Sequence, residues 1–385
     1  MYAVGIVAEF DPFHRGHEYL LRQARERGAT HIAVVMSGAA VQRGEIAVCT
    51  KQERAEAALR CGADLVAELP APWSCSMAAA FADGAVRTLG QLDIDALCFG
   101  SEMESAADIL AAAGAMNELA DSEAVKKRLA GGMSYPAALH AAVAERFGEA
   151  AAAPLGTPNS TLGVEYVRAL GRSGISADIL PVRRIGAGHD RKGGEYPSGS
   201  ELREMLSLGQ DISRGVPEGC LPGALFDPGR AGDILLYRLL TAEKSELTSL
   251  PELTGAIADR IIKVRRDPPD TLEAFLAAVK TANVTHARLR RSALHLVLGV
   301  KPSDYGEPPY VRVLAVNTRG AELLRRAKRE IPISVSLKEL EQSSERAARI
   351  SALEYRAVRL QQMCRMTAPP RFENEYTRKI IMKKL

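Results

Sequence analysis

Ala3 to Ala8 is an unbroken apolar run, and four similar stretches follow it at His31 to Met36, Asp64 to Leu69, Asp95 to Phe99 and Asp178 to Val182. Short runs that are apolar at successive positions, rather than alternate ones, predict strands covered on both faces, as in a parallel sheet. Between them the period changes. His17 to Arg27 puts Leu20, Leu21 and Ala24 on one side of a helix that closes at Gly28. Lys51 to Cys61 and Ser76 to Leu89 are predicted helices too, and residues 104–148 read as an Ala-rich helical insertion. Strands alternating with helices predict an α/β fold with a Rossmann-like parallel sheet.

Beyond residue 210 the pattern is helical. Pro217, Pro222 and Pro228 mark a linker, and helices are expected at about 230–241, 252–265, 271–281, 284–298, 318–329 and 336–344. A short strand pair fits Tyr310 to Val316. The expected organisation is a catalytic domain over residues 1–210 and a mainly helical region over 211–385. The chain's 385 residues exceed what one core usually reaches, about 250–300 residues.

Composition narrows the class without choosing a function. No apolar stretch is long enough to span a membrane. Six scattered cysteines without a C-x-x-C pair argue against a zinc or redox motif and read as reduced thiols of a cytoplasmic protein. A net charge of +3 permits a nucleic-acid partner without arguing for one. The distribution says more: Arg288, Arg290 and Arg291 cluster in the second half, and the tail carries Arg378, Lys379, Lys383 and Lys384. Solvated helix faces account for many such charges, but beside a nucleotide site they also fit a phosphate-backbone surface.

The candidate chemistry sits where the first strand turns into the first helix, at His14-Arg15-Gly16-His17. A helix N-terminus offers unpaired N–H groups and partial positive charge to phosphate, and Gly16 allows close approach of the backbone. His14 and His17, three apart, can share a face of the first turn and donate to phosphate oxygens as charge builds. Two zinc ligands, or two solvated residues at a helix start, are the alternative readings of H-x-x-H.

Other blocks at strand ends could join this corner. Arg43 and Lys51 follow the second strand, where open α/β sheets bind ligands. Gly100 follows the fourth, bare of side chain for a ribose or adenine. Asn159 near a helix start is a cap or a ligand contact. Ser198 or Ser200 caps a helix whose first turn carries Arg203, a guanidinium suited to polyphosphate.

Strand, then H-x-G-H, then helix resembles the nucleotidyltransferase superfamily. The ordered blocks resemble one branch, the tRNA(Met) cytidine acetate ligase family. They are Gly5 to Leu20, Val41-Gln42-Arg43-Gly44-Glu45, Gly62 to Val66 with Glu68-Leu69-Pro70, Phe99 to Glu102, Pro158-Asn159, Leu162 to Tyr166, Arg184 to Ala187 and Ser198 to Arg203. The resemblance implies ATP, acetate and elongator tRNA(Met) as substrates, with Mg²⁺ accompanying ATP and no dedicated metal site.

It implies catalytic roles for His14, His17 and Arg203. The implied ATP contacts are Val7, Ala8, Glu9, Phe10, Asp11, Pro12, Phe13, His14, Arg15, Gly16, His17, Glu18, Tyr19, Leu20, Gly100, Asn159 and Arg184, with Ser198 and Ser200 at the outer phosphates. Departures from the family pattern fall at Ala39-Ala40, Ser160-Thr161 and Ser198-Gly199-Ser200-Glu201-Leu202-Arg203. A small-molecule adenylyltransferase and a non-catalytic nucleotide-dependent RNA-binding module are the competing readings.

Overall fold

A computed structural model describes residues 1–184, 196–366 and 372–383. The strands, in chain order, are β1 (Ala3–Ala8), β2 (His31–Ser37), β3 (Ala40–Val41), β4 (Glu45–Ile46), β5 (Leu65–Leu69), β6 (Ala96–Ser101), β7 (Asp178–Arg183), β8 (Val311–Asn317), β9 (Ile333–Ser334) and β10 (Ile381–Lys383). β3 and β4 form a small hairpin; the rest share one sheet in the order β10-β8-β5-β2-β1-β6-β7, with β9 pairing β8. All five strands expected from the first half are present and mutually parallel. Their every-position hydrophobicity follows from helices packing on both faces.

The chain winds from β1 through β2 to β5 on one side, then crosses to β6 and β7 on the other. The reversal lies between β1 and β6, and ligands of open α/β sheets bind outside the carboxyl ends of the strands at such a point. Two helices flank β2: α1 (Arg15–Glu26) follows β1, and α2 (Lys51–Arg60) follows the hairpin. Another, α3 (Ala78–Gln91), leads to β6. The insertion forms helices at Ala106–Leu119, Glu123–Ala130 and Tyr135–Phe147.

The boundary expected near residue 210 does not divide the sheet. In place of a strand pair, the second half supplies β8, which runs antiparallel to β5 with Arg312 opposite Glu68, and β10 beyond it. One hydrophobic cluster runs from Ala3 and Val35 through Leu235, Phe275 and Leu353. The expected helices of that half are found, together with a short one at Lys244–Thr248 and a long one, Glu345–Met363, that packs behind the loop after β2.

Candidate active site

The corner after β1 is fixed by its own two histidines. His14 is the N-cap of α1: its Nδ1 accepts the Gly16 N–H at 3.0 Å, and the Nδ1 of His17 accepts the His14 N–H at 3.2 Å. This is a capping box made of imidazoles in place of the usual hydroxyl and carboxylate. An Nδ1 that accepts leaves the proton of a neutral ring on Nε2. The backbone therefore sets both tautomers, and both rings present Nε2–H as donors. The rings stack with centroids 3.6 Å apart, and Phe10 and Phe13 pack against His17.

Burial keeps the pair neutral. It lowers His14 to about 3, with Arg184 and Arg203 adding repulsion, and lowers His17 well below its ordinary value, with His14 and the same two arginines contributing. Two neutral imidazole N–H groups, each fixed through its other nitrogen by the backbone, can meet developing negative charge without losing a proton first.

The amides of α1 do not play the role that the sequence pattern suggests. Arg15 N–H goes to the Gly215 carbonyl at 2.9 Å, Gly16 N–H to His14 and His17 N–H to the His14 carbonyl. Gly16 has a different reason to be glycine: a Cβ there would stand 2.9 Å from His14 Cε1. The open helix start is the neighbouring one. The Gly199–Ser207 helix is capped by Ser198 with Glu201, and its first amides have no partner within the helix. Its Gly199 position faces His14 Nε2 and the Arg203 guanidinium, 3.5 and 3.3 Å from where a Cβ would sit.

Arg203 donates to the Asp11 carbonyl at 2.7 Å and to Ser200 Oγ at 3.0 Å. Arg184 reaches Asn159 Oδ1 at 2.7 Å, and Asn159 Nδ2 holds Glu102 at 2.6 Å. Asn159 is thus a bridge between β6 and Arg184, not a cap; Thr157 holds the cap position. Gly100 lies under Arg184: a Cβ there would stand 3.5 Å from Arg184 Cγ.

The remaining residues of the block shape the loop. Val7, Phe10, Phe13 and Leu20 are buried in the core, and Phe10 holds a left-handed φ of 52°, a costly conformation for an aromatic residue. Glu9 and Asp11 accept from Arg43 at 3.0 and 2.6 Å, and Asp11 also takes the Val48 N–H at 2.7 Å. Arg43 therefore fastens the loop instead of facing phosphate. Ala8 and Pro12 complete the turn, while Arg15, Glu18 and Tyr19 stand at the rim with partial exposure. Sequence reading missed Arg54, whose buried guanidinium gathers the carbonyls of Glu9, Ser37 and Gly38 at the ends of β1 and β2. Nothing in its position on an ordinary helix pattern announces that.

A model of the HIGH nucleotidyl transferase family matches residues 1–375. The tRNA(Met) cytidine acetate ligase of Syntrophotalea carbinolica is 36% identical over 358 residues, covering 88% of this chain and 85% of that protein. That of Halalkalibacterium halodurans is 34% identical over 361 residues, covering 87% and 86%. The chain belongs to the tRNA(Met) cytidine acetate ligase family. The crystal structure of Thermotoga maritima TmcAL bound with alpha-thio ATP superposes with a TM-score of 0.90 at 25% identity over the full length of both chains. Its apo form gives 0.91 at 26%.

For a member of this acetate ligase family, the expected RNA contacts are distributed unevenly. Arg288 donates to the Glu252 carbonyl, Arg291 is paired with Glu252 at 2.6 Å, and Arg290 with Glu45 and Glu273 at 3.0 and 2.7 Å. That cluster braces the fold. Lys51 likewise does not face phosphate; it is buried among Glu68, Glu354 and Glu375. In the tail, Arg378 pairs with Glu373, whereas Lys379 and Lys383 are exposed. Lys384 and the Ile185-Gly186-Ala187 block lie outside the described residues. Among the described residues no group of three His, Cys, Asp or Glu side chains gathers to hold a metal, and no helix is long and apolar enough to cross a membrane.

Proposed function

We propose that the protein joins acetate to ATP and passes the acetyl group to N4 of the wobble cytidine of elongator tRNA(Met). An acetate oxygen attacks the α-phosphorus of ATP, the bond to the β-phosphate oxygen breaks, and pyrophosphate leaves acetyl-adenylate behind. The N4 amine then attacks the acetyl carbon, loses a proton, and AMP departs with the anhydride oxygen. Mg²⁺ enters with ATP as part of the substrate, because Glu9 and Asp11, the carboxylates of the corner, are already engaged by Arg43.

The observation that carries this reading is the pair of neutral imidazoles whose Nε2–H donors are fixed by the backbone at the topological switch point. Aimed at the α-phosphate, they stabilise charge that is greater in the transition state than in bound ATP. Arg203 and the amides at the start of the Gly199–Ser207 helix suit the β- and γ-phosphates. Arg184, held by Asn159 above Gly100, suits the nucleoside end of ATP. Holding acetate in line with the α-phosphorus supplies much of the remaining rate.

The test is transfer of labelled acetate into total bacterial tRNA, with and without ATP. The expected outcome is ATP-dependent label in elongator tRNA(Met), released as N4-acetylcytidine on digestion. Acetate-independent release of pyrophosphate by active protein, with no label in any tRNA, would instead assign the corner to a small-molecule adenylyltransferase.

A further inference from the structure

If RNA is the acceptor, a surface must hold it, and the cluster richest in arginine is consumed by internal pairs. Arg359 is a cation with neutral partners that lies beside aromatic rings. Its guanidinium donates to Gln362 Oε1, to the Glu373 carbonyl and to Tyr355 Oη, and no carboxylate pairs with it among the described residues. It lies 4.7 Å over the Tyr355 ring and 5.5 Å from the Phe372 ring, with Tyr376 beyond Tyr355 at 5.6 Å. The ladder runs Tyr376, Tyr355, Arg359, Phe372. Its inner rungs are half-buried and its outer rung, Phe372, is 57% exposed.

The ladder stands on the catalytic edge of the sheet. β8 runs antiparallel to β5, so its first residues lie at the carboxyl ends of the parallel strands. β10 is parallel to β8 and enters at Ile381 opposite Ala315, so the segment before it approaches from that same edge. Glu375 within that segment meets Lys51 and Arg312 there. The Glu345–Met363 helix, which carries Tyr355 and Arg359, donates from Gln361 to the carbonyls of Ala47 and Cys49, behind the loop that holds Arg43 to Asp11. Exposed Lys379 and Lys383 follow on the same segment.

We propose that Phe372, backed by Arg359, is a stacking platform for an unpaired base of the RNA substrate. An exposed ring over an uncompensated guanidinium suits single-stranded RNA, whose bases stack on aromatic faces and whose phosphates need a cation. RNA is favoured over a protein partner because the cations that follow on this segment, Lys379 and Lys383, are exposed and suit phosphates. This proposal rests on the RNA-modifying reading above and names where that substrate is gripped.

The experiment measures binding of a synthetic anticodon stem-loop RNA of elongator tRNA(Met) to the full-length wild type, F372A and F372W at one fixed salt concentration. Acetate-dependent ATP–pyrophosphate exchange is followed alongside. F372A should bind the RNA about tenfold to a hundredfold more weakly, and F372W within about twofold of wild type. Exchange should be unchanged in both, which also shows that they fold. F372A binding as tightly as wild type, while wild type acetylates tRNA, would overturn the platform alone. Loss of binding in F372A together with no acetylation by wild type would uphold the platform and sink the ligase reading. A wild type that binds no RNA would overturn both.

Discussion

The histidine corner after β1 and the Lys51 cluster at the end of β5 occupy the same edge of one sheet. Both are buried and rich in titratable groups, and they are built differently. Around Lys51, the carboxylates of Glu68, Glu354 and Glu375 and the guanidinium of Arg312 close on one another, each less than 4% exposed. At the corner, each imidazole is held through one nitrogen only, and the other nitrogen is left to donate. A cluster whose opposite charges close on one another holds elements together; one that holds its members by half their capacity keeps the other half for a ligand. That difference separates fold from chemistry here better than residue type does.

Breaking the closed cluster should have the largest effect. Burial disfavours the Lys51 ammonium, but the three carboxylates outweigh it and raise its pKa, and Lys51 with Arg312 holds Glu68 down to about 2. Lys51→Met leaves buried Glu68 and Glu375 to Arg312 and buried Glu354 to the Ala39 and Ala71 amides. Removing one partner from such a group costs about 3–5 kcal/mol, which urea unfolding would read directly. A loss below about 1 kcal/mol would mean that the cluster relaxes to admit water and is not closed.

The open corner yields to a substitution that keeps the cap and deletes the donor. Asparagine caps a helix well, and glutamine serves at the third position of a capping box. His14→Asn and His17→Gln should therefore change unfolding free energy by less than about 1 kcal/mol. Each should lower acetate-dependent ATP–pyrophosphate exchange by about 10²–10³-fold, the usual cost of one oxyanion donor. Normal exchange in both variants would remove the imidazoles from the transition state.

How much of this contrast was legible in the sequence depends on whether a residue's partners lie near it in the chain. The five parallel strands were, because burial on both faces writes itself as continuous hydrophobicity. The spacing of three brought His14 and His17 together on the first turn, although the capping box that they form was not expected. Even there the helix was expected to start at His17 and begins at Arg15, since histidine is not a usual cap.

Lys51 looked like a phosphate ligand because Glu354 and Glu375 arrive from some 300 residues away. The Glu345–Met363 helix was missed because buried Glu354, Gln361 and Gln362 interrupt its apolar stripe, each answering a distant group. β10 has three residues and exists through its pairing with β8.

Acidification sharpens the comparison further, with a smaller effect. A histidine whose folded pKa is lowered binds fewer protons folded than unfolded, so its neutral burial is stable above the ordinary value of 6.5 and is lost as pH falls toward the folded value of about 3 for His14. Below about pH 6 each such histidine should steepen the loss of stability by up to about 1.4 kcal/mol per pH unit. His14→Asn should flatten that slope by one proton's worth in urea titrations at pH 6.5, 5.5 and 4.5. Exchange activity should show no histidine-like limb between pH 6 and 8, because both rings stay neutral throughout. A limb there that disappears in His14→Asn would mean that His14 works as the cation.

The smallest effect distinguishes cations that look equivalent in the sequence. Arg290 is paired with Glu45 and Glu273, so Arg290→Gln should leave the slope of log affinity for tRNA against log salt unchanged within error. Lys379 and Lys383 are exposed, and for these no carboxylate pair is formed among the described residues. Replacing both with Gln should reduce the slope by about one to two, one counterion for each phosphate that the tail no longer neutralises. Equal slopes for the two variants would mean that the tail stays clear of the RNA. A reduced slope for Arg290→Gln alone would mean that RNA displaces Glu45 and Glu273, which would turn a brace of the fold into a contact made only in the complex.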